Sequence, residues 1–299
     1  MRIGNVLSLF DGMSCGQIAL NKLNFEYDNY YASEINSSAI KVTMSNYPNT
    51  KQIGSITEVS GSDLPNIDLL IGGSSCQNFS FAGNRVGMST EDNIEITSLE
   101  QYNELKNNGF KFKGESYLFW EYVRLLNEIK PKYFLLENVK MSKKWQIIIT
   151  NALGVEPILI NSSLVSAQNR PRLYWTNIPD VEQPKDRNIQ FKDIINNEYE
   201  FKPLTNWFFS KWGDKRKIDS LRTINANKSF CVTTNKSHSK NYYLSDDKTM
   251  ARMLERDEVE RLQTVPNGYT DSVTKTEAHK MLGNGWTVDV ISHIFSYIK

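Results

Sequence analysis

Residues 5–20 read NVLSLFDGMSCGQIAL, a stretch that joins a short apolar run, an Asp-Gly turn and a helical pattern. The apolar run covers residues 6–10, and apolar residues recur at helical spacing over residues 17–23. Gly12 and Gly16 stand at the junction, where glycines let a ligand approach the backbone. The stretch therefore predicts a strand, a turn and a helix, the opening unit of an α/β fold.

The same alternation continues along the chain. Short apolar runs predict strands at residues 30–32, 67–71, 133–136, 158–160 and 173–176. Helical spacing predicts helices at residues 38–46, 118–129, 250–263 and 288–298. Residues 88–115 are polar and contain two glycines, so they are predicted to form a loop. Strands that alternate with helices predict an α/β fold with a parallel sheet.

The periodicity weakens after Pro179 and returns near residue 250. Between these points the sequence carries Pro, Asn, Lys and scattered aromatic residues without a clear period. We therefore predict one core domain made of 1–179 plus 250–299, with 180–249 forming a small separate lobe.

Composition excludes several classes of protein. The 299 residues are 39% hydrophobic and 23% charged, which supplies a packed core and excludes a wholly disordered chain. No apolar run approaches the roughly 18 residues needed to cross a bilayer, and the first strand turns polar at Asp11, unlike a secretory signal. Cys15, Cys76 and Cys231 are too few and too scattered for a disulfide framework or a zinc site. These features predict a reduced, cytoplasmic protein without a metal.

Charge is unevenly distributed along the chain. The net charge is +1, yet residues 201–245 hold nine Lys or Arg against two Asp, a local charge of +7. Aromatic residues are interleaved with these charges: Trp207, Phe208, Phe209, Trp212, Phe230, Tyr242 and Tyr243. Such a block is typical of a nucleic-acid-binding surface, where the cations contact phosphates and the aromatic rings pack on bases or sugars. The alternative is an ordinary solvated face.

Two positions near the start could bind a nucleoside. The turn 10–16 follows the first predicted strand, and Glu34 ends the second, 22 residues after Gly12. A carboxylate at that place can accept both hydroxyls of a ribose. The spacing G-x-G-x-x-G is absent, which disfavours a dinucleotide and a nicotinamide dehydrogenase. The alternative is a turn glycine beside an ordinary surface acid.

Three further motifs follow later strands and could carry chemistry. Cys76 follows Gly72-Gly73 at a strand end, where backbone amides favour a thiolate, although a lone cysteine also serves as a small buried residue. Glu137 ends the strand at 133–136 and could donate a proton or act as a turn acid. Arg170 and Arg172 stand two residues apart and share a face in an extended segment. They suit a phosphate or a base edge, or a structural ion pair with Glu137.

In this order the motifs resemble the cytosine-5 DNA methyltransferases over nearly the whole chain. The resemblance lies in LSLFDGMSCGQIAL, GGSSCQNFSFAG, YFLLENV, SAQNRPRLYW, ERLQTVPNGYT and LGNGWTVDVISHIF. The last motif looks most like the compact branch that includes vertebrate de novo enzymes and many small phage and bacterial members. The resemblance implies a Rossmann-like sheet that binds S-adenosyl-L-methionine, with a small inserted target-recognition lobe.

The resemblance also implies roles for individual residues. Cys76 would add to carbon 6 of a flipped cytosine, while Glu137 holds the nitrogen 3 edge and Arg170 and Arg172 orient the base. Residues 77–95 would form the loop that closes over it. The cofactor contacts would come from Phe10, Asp11, Gly12, Met13, Ser14, Cys15, Gly16, Glu34, Ile35, Ser55, Ile56, Asn284 and Trp286. The implied substrate is double-stranded DNA in a bacterial or phage-infected cell.

Two positions depart from the family pattern. Ser75 stands where the family usually has Pro before the catalytic Cys, and Ser55 stands where it usually has Asp at the adenine. Because both lie at the same expected site, a catalytically impaired or altered-cofactor DNA-binding homologue is one alternative. A tRNA cytosine-5 methyltransferase is another, since one branch of the family acts on RNA. A cognate restriction endonuclease and the oligomeric state stay open.

Overall fold

A computed structural model describes residues 1–75, 79, 87–204, 221–235 and 241–299. Within these ranges the main sheet has seven strands: β1 (Arg2–Leu9), β2 (Glu26–Ser33), β3 (Lys51–Gln52), β4 (Ile67–Gly73), β5 (Tyr133–Val139), β6 (Ile158–Asn161) and β7 (Pro171–Thr176). Their order is β3-β2-β1-β4-β5-β7-β6. Neighbours pair in parallel except β7, which runs antiparallel to β5 and β6. The predicted α/β fold is confirmed, while the sheet that was predicted to be parallel contains one reversed strand, β7.

Eight α-helices connect or follow the strands in the described ranges. They are α1 (Cys15–Lys22), α2 (Ser37–Asn46), α3 (Leu99–Asn107), α4 (Phe119–Ile129), α5 (Lys143–Leu153), α6 (Arg256–Leu262), α7 (Lys275–Asn284) and α8 (Val288–Phe295). The predicted stop of α4 is observed: Lys130 adopts a left-handed φ of 49°, because the following Pro131 disfavours helical backbone at this position. None of these described helices is long and apolar enough to cross a membrane.

Both faces of the main sheet are buried, and the strand residues alternate between them. Along β4, Leu69 and Ile71 pack in the cluster that contains α1 and α8. Leu70 packs on the other face, in the cluster that contains α4 and α5. Because side chains alternate along a strand, a parallel sheet with two covered faces needs the continuous apolar runs seen in the sequence.

Two secondary-structure predictions are wrong in part. Residues 88–115 are not only a loop, because they contain α3: the Ser98 side chain caps its start, and Tyr102 and Leu105 bury one face. Residues 250–253 are not helical but form a strand, and the helix begins only after Glu255, whose capping box with Glu258 fixes its first turn.

A second sheet of four short strands lies within residues 202–253. Its members are β8 (Lys202–Pro203), β9 (Arg222–Thr223), β10 (Tyr242–Leu244) and β11 (Met250–Met253), in the order β8-β11-β10-β9. Because β11 starts at Met250, this sheet crosses the predicted boundary between 249 and 250. Part of the basic and aromatic block lies outside the described residues: Trp207, Phe208, Phe209, Lys211, Trp212, Lys215, Arg216, Lys217, Lys236 and Lys240.

Candidate active site

The carboxyl ends of the parallel strands meet at one edge of the main sheet. After β1 the chain moves outward through β2 and β3 and then returns to β4 on the other side of β1. Ligands of open α/β sheets bind at such a reversal, outside the carboxyl ends of the strands. The turn 10–16, Glu34, Ser74 and Glu137 all lie at this edge, as the sequence predicts. Cys76 lies outside the described residues.

The turn after β1 leaves space open above its backbone. Phe10, Gly12 and Ser14 adopt left-handed φ values of 56°, 60° and 64°. A Cβ atom at Gly12 would have no neighbour within 4 Å, whereas one at Gly16 would lie 2.4 Å from the Cδ1 atom of Ile71. The first glycine therefore borders open space, and the second lets α1 pack directly on the sheet.

Glu34 lies beside this open space, held by backbone amides. The amide of Gly12 donates to Glu34 Oε2 at 2.8 Å, and the amides of Ile35 and Asn36 donate to Oε1, also at 2.8 Å. These bonds fix the carboxylate while leaving lone pairs on its oxygens for further donors. The neighbouring Ile35 side chain is 76% exposed, an unusual position for a large aliphatic residue.

Asp11 presents an unused acceptor at the same place. Its Oδ1 atom accepts from the Tyr30 hydroxyl at 2.9 Å, while the buried Oδ2 atom has no hydrogen-bond partner among the described residues. Burial raises the pKa of this carboxyl to about 6, against the opposing hydrogen bonds from Ser8, Ser14 and Tyr30. A buried carboxylate oxygen without a partner is suited to a cationic or hydrogen-bonding ligand.

Other predicted cofactor residues face the core and support the turn. The carbonyl of Met13 accepts from the Tyr269 hydroxyl at 2.7 Å, and Ser14 Oγ accepts from Gln17 at 2.8 Å. The Cys15 thiol donates to the Trp286 carbonyl at 3.8 Å, and burial raises its pKa to about 12. This thiol is therefore neutral and acts in packing.

Ser55 and Ile56 follow β3 and differ in exposure. Ser55 Oγ is 2.8 Å from Thr57 Oγ1, so its hydroxyl already has a local partner. Ile56 is 5% exposed and packs in the core cluster of α4. The Ser33 hydroxyl donates to the Gly54 carbonyl at 2.8 Å and ties this segment to β2.

Glu137 is the centre of a buried polar cluster. Its Oε2 atom accepts from the Trp286 indole N–H at 3.0 Å, and Oε1 forms an ion pair with Arg172 Nε at 3.0 Å. Glu137 is in register with Gly73 of β4. A Cβ atom at Gly73 would lie 2.9 Å from the indole nitrogen, so the glycine makes room for this contact. Of the two arginines that the sequence offered as ion-pair partners of Glu137, Arg172 forms the pair.

Arg170 is buried and has a different set of partners. Its guanidinium donates to the carbonyls of Gly283 and Gly285 at 3.1 and 2.8 Å, to the Val232 carbonyl at 3.3 Å and to Cys231 Sγ at 3.1 Å. It thus links the end of α7 to residues 231–232. Gly283 is required there, because a Cβ atom would lie 2.6 Å from the backbone of Thr233.

Cys231 and Asn138 also belong to the site. The sequence places Asn138 beside Glu137 in YFLLENV without a role of its own, and it gives no role to Cys231. Burial opposes ionisation of the Cys231 thiol, but Arg170 and Arg172 outweigh it, and the pKa is lower than the ordinary value. Asn138 Nδ2 donates to the carbonyl and hydroxyl oxygens of Ser74 at 3.2 and 3.0 Å, which fixes the segment leading to residue 76. Only tertiary contacts show what these two side chains hold in place.

Asn284 and Trp286 return from the C-terminal part of the chain to this edge. Asn284 is exposed at the end of α7, and Trp286 is buried between Cys15 and Glu137. Among the residues that the structure describes, no group of three or more His, Cys, Asp or Glu could hold a metal ion.

Comparison with known proteins identifies relatives of this arrangement. Residues 4–299 match the family model of the C-5 cytosine-specific DNA methylases. The chain is 28% identical over 273 residues to the orphan methyltransferase M.SPRI of Bacillus phage SPR, covering 84% of this chain and 54% of that protein. It is 33% identical over 217 residues to the type II methyltransferase M.NgoBV of Neisseria gonorrhoeae, covering 64% and 46%.

The crystal structure of S. pombe Dnmt2 methyltransferase has a similar fold, with a TM-score of 0.72 at 19% identity, covering 99% of this chain and 98% of that one. The chain spans about half the length of the curated relatives that it matches. The family match nevertheless covers nearly all of the sequence, including every motif at the carboxyl edge. The chain therefore belongs to the C-5 cytosine-specific DNA methylase family.

Proposed function

We propose that this protein transfers a methyl group from S-adenosyl-L-methionine to carbon 5 of a cytosine in double-stranded DNA. The observation that carries the proposal is the Glu137 carboxylate, held by Arg172 and Trp286 at the end of β5. It is in register with β4, and the chain reaches Cys76 three residues after that strand ends at Gly73. Family membership supports the same reaction.

The residues around the first turn fit this cofactor. The open space above Gly12, the exposed Ile35 side chain and the fixed Glu34 carboxylate suit a nucleoside: Glu34 would accept the ribose hydroxyls and Ile35 would cover the adenine. The partnerless Asp11 Oδ2 would accept from the ammonium group. When bound, S-adenosylmethionine supplies an electrophilic methyl group on a sulfonium.

The protein's own residues would make the base reactive. The cytosine must leave the duplex stack to reach the site. Addition of the Cys76 thiolate to carbon 6, with a hydrogen bond or proton from Glu137 at nitrogen 3, would make carbon 5 nucleophilic. After methyl transfer, loss of the carbon 5 proton and departure of the Cys76 thiolate from carbon 6 would restore the ring. Arg172 and Trp286 would hold Glu137 in position. Arg170 would not touch the base, because its guanidinium already donates to the Gly283 and Gly285 carbonyls. It would instead position the site by holding the backbone of residues 283–285.

Cofactor binding is expected to depend on pH through Asp11. In the free protein its pKa is about 6, so the carboxylate is present above this pH and is lost as the pH falls below it. Since only the carboxylate attracts an ammonium group, affinity for S-adenosylmethionine should fall below about pH 6. Calorimetric titration between pH 5 and 8 measures this, and Asp11→Asn should bind more weakly at pH 8 with a flatter profile. Asp63→Asn, a change at an exposed carboxylate, is the control. If the affinity of Asp11→Asn depends on pH as that of the wild type does, Asp11 does not bind the ammonium group.

The covalent step can be tested with DNA that contains 5-fluorocytosine, in which fluorine replaces the hydrogen that must leave carbon 5. With cofactor present, the wild type should form a protein–DNA species that survives denaturing electrophoresis and maps to the peptide containing residue 76. Cys76→Ala should form no such species. Cys231→Ser should form it, and the DNA should be attached to the same peptide as in the wild type. An adduct in Cys76→Ala, or its absence in the wild type despite bound cofactor, contradicts the mechanism.

The same assay separates the alternatives. A catalytically impaired homologue would bind DNA without forming the adduct, and Ser55→Asp with Ser75→Pro would then raise turnover strongly. A tRNA enzyme would methylate tRNA in preference to DNA at matched salt. A restriction endonuclease that reads the same sequence is the proposed partner, and the type II name of the gonococcal relative supports this.

A further inference from the structure

A pocket of about 500 Å³ lies between the β6–β7 connection and the segment that follows β9. Its polar lining consists of Asn161, Ser163, Asn169, Arg222, Asn227 and Lys228. None of the described residues that line it is acidic. The pocket therefore combines two cations with amide and hydroxyl groups and contains no carboxylate to neutralise them.

Lys228 supplies a fixed positive charge. Its ammonium group donates to the carbonyls of Ser163, Ser166 and Ile189 at 2.6, 3.1 and 2.7 Å. These neutral acceptors use all three N–H bonds but do not neutralise the charge, and no described carboxylate forms an ion pair with it. Burial lowers the pKa of Lys228, and the more distant Asp186 and Asp193 partly offset this effect.

Arg222 supplies the second charge. Its guanidinium carbon lies 4.3 Å from the centre of the Phe230 ring, and one nitrogen donates to the Lys228 carbonyl. Burial lowers its pKa, and within the described part of the chain no carboxylate pairs with it. A guanidinium has five N–H donors, so most of them are left for a ligand.

Two exposed amides complete the rim. Asn161 Nδ2 donates to Asn169 Oδ1 at 2.7 Å, which orients Asn169 so that its own NH₂ group is left as a donor. Asn227 also lines the pocket and is exposed. Cations and amide donors together favour an anion with several oxygens.

The pocket is close to the candidate active site. Gln168 bridges to Ser229, and Cys231 contacts Arg170 at 3.1 Å. Asn227 and Cys231 are four positions apart in the chain, so their Cα atoms are at most about 14 Å apart. Along a DNA strand, which rises about 3.4 Å per nucleotide, this distance corresponds to a few nucleotides.

We propose that this pocket binds a backbone phosphate of the DNA strand, a few nucleotides from the target base, with Arg222 as its main ligand. The proposal rests on the proposed function. It assigns Arg222, Asn169 and Asn227 to positioning the strand and not to reading its sequence.

The test is DNA binding by fluorescence anisotropy over a series of salt concentrations. Arg222→Gln should weaken binding roughly tenfold at 0.1 M salt and reduce the slope of log K against log salt by about 0.9. Arg222→Lys should keep the slope. Asn227→Asp, an exposed change that adds a negative charge, should also weaken binding. Arg2→Gln and Asn49→Asp, far from this edge, are the matched controls.

An unchanged salt slope in Arg222→Gln overturns the proposal, provided that circular dichroism and cofactor binding match the wild type. The proposal is also overturned if Arg222→Gln changes the preference among DNA sequences while the salt slope stays constant. That result would show that the pocket reads bases. If the wild type binds no DNA, the DNA substrate itself is contradicted, and this outcome is distinct from a failure of Arg222 alone.

Discussion

Replacing Glu137 by glutamine is expected to lower kcat for cytosine methylation by about 10²- to 10⁴-fold, the usual contribution of a positioned acid or base. Glutamine has nearly the same shape and can still accept from the Trp286 indole, but it cannot release a proton and loses the ion pair with Arg172. Single-turnover methylation with saturating DNA and cofactor measures the effect.

Trp286→Phe is the matched control for this change. It removes the indole N–H that holds Glu137 and keeps the carboxylate, so a smaller loss of kcat is expected than in Glu137→Gln. Equal rates for wild type and Glu137→Gln would show that the carboxylate takes no part in proton transfer. Thermal unfolding of both variants distinguishes a chemical defect from a folding defect.

Replacing Arg170 by methionine is expected to reduce the free energy of unfolding by about 3 kcal/mol or more, since each buried acceptor left without a donor costs about 1–3 kcal/mol. The Gly283 and Val232 carbonyls lose their guanidinium donor, whereas the Gly285 carbonyl keeps the side-chain amide of Gln263 at 3.1 Å. Urea unfolding at neutral pH measures the change.

Arg172→Met offers a comparison only two residues away. Arg172 is more exposed than Arg170 and its main described partner is Glu137, so methionine at this position should reduce stability less and turnover more. If both variants lose the same stability and the same activity, the division between a structural and a site-facing arginine is contradicted.

The sequence predicted those parts of the site that depend on local chemistry. The glycine turn after one apolar strand and the carboxylate at the end of the next strand can each be recognised from a few neighbouring residues. The structure brings the two together, since the Gly12 amide donates to Glu34. The sequence could not decide whether Arg172 binds a phosphate or base edge or forms an ion pair with Glu137. The ion pair depends on the antiparallel pairing of β5 with β7, which the sequence does not show. The contact of Cys231 with Arg170 and the bonds of Asn138 to Ser74 depend on tertiary packing, which adjacent residues do not specify.

The missed elements have similar causes. The polar segment that forms α3 contains only two fully buried apolar side chains, too few for a clear helical period. The paired charges that predicted a helix over residues 250–263 begin in a strand, where residues 250–253 pair with β10 and β8 and Arg252 reaches the buried carboxylate of Glu258. In both cases tertiary contacts decide the structure, and local preference does not.

The contact between Glu137 and Trp286 has a consequence for protein synthesis. The two residues are 149 positions apart, and Cys15 is 271 positions from the same tryptophan. Pairings at such long sequence separation form late, because the intervening chain must be ordered first. While the nascent chain is still on the ribosome, Glu137 already exists but has no indole to hold it. The site is therefore assembled only after residue 286 has been translated, and a prematurely terminated chain would carry most of the sheet without an ordered acid.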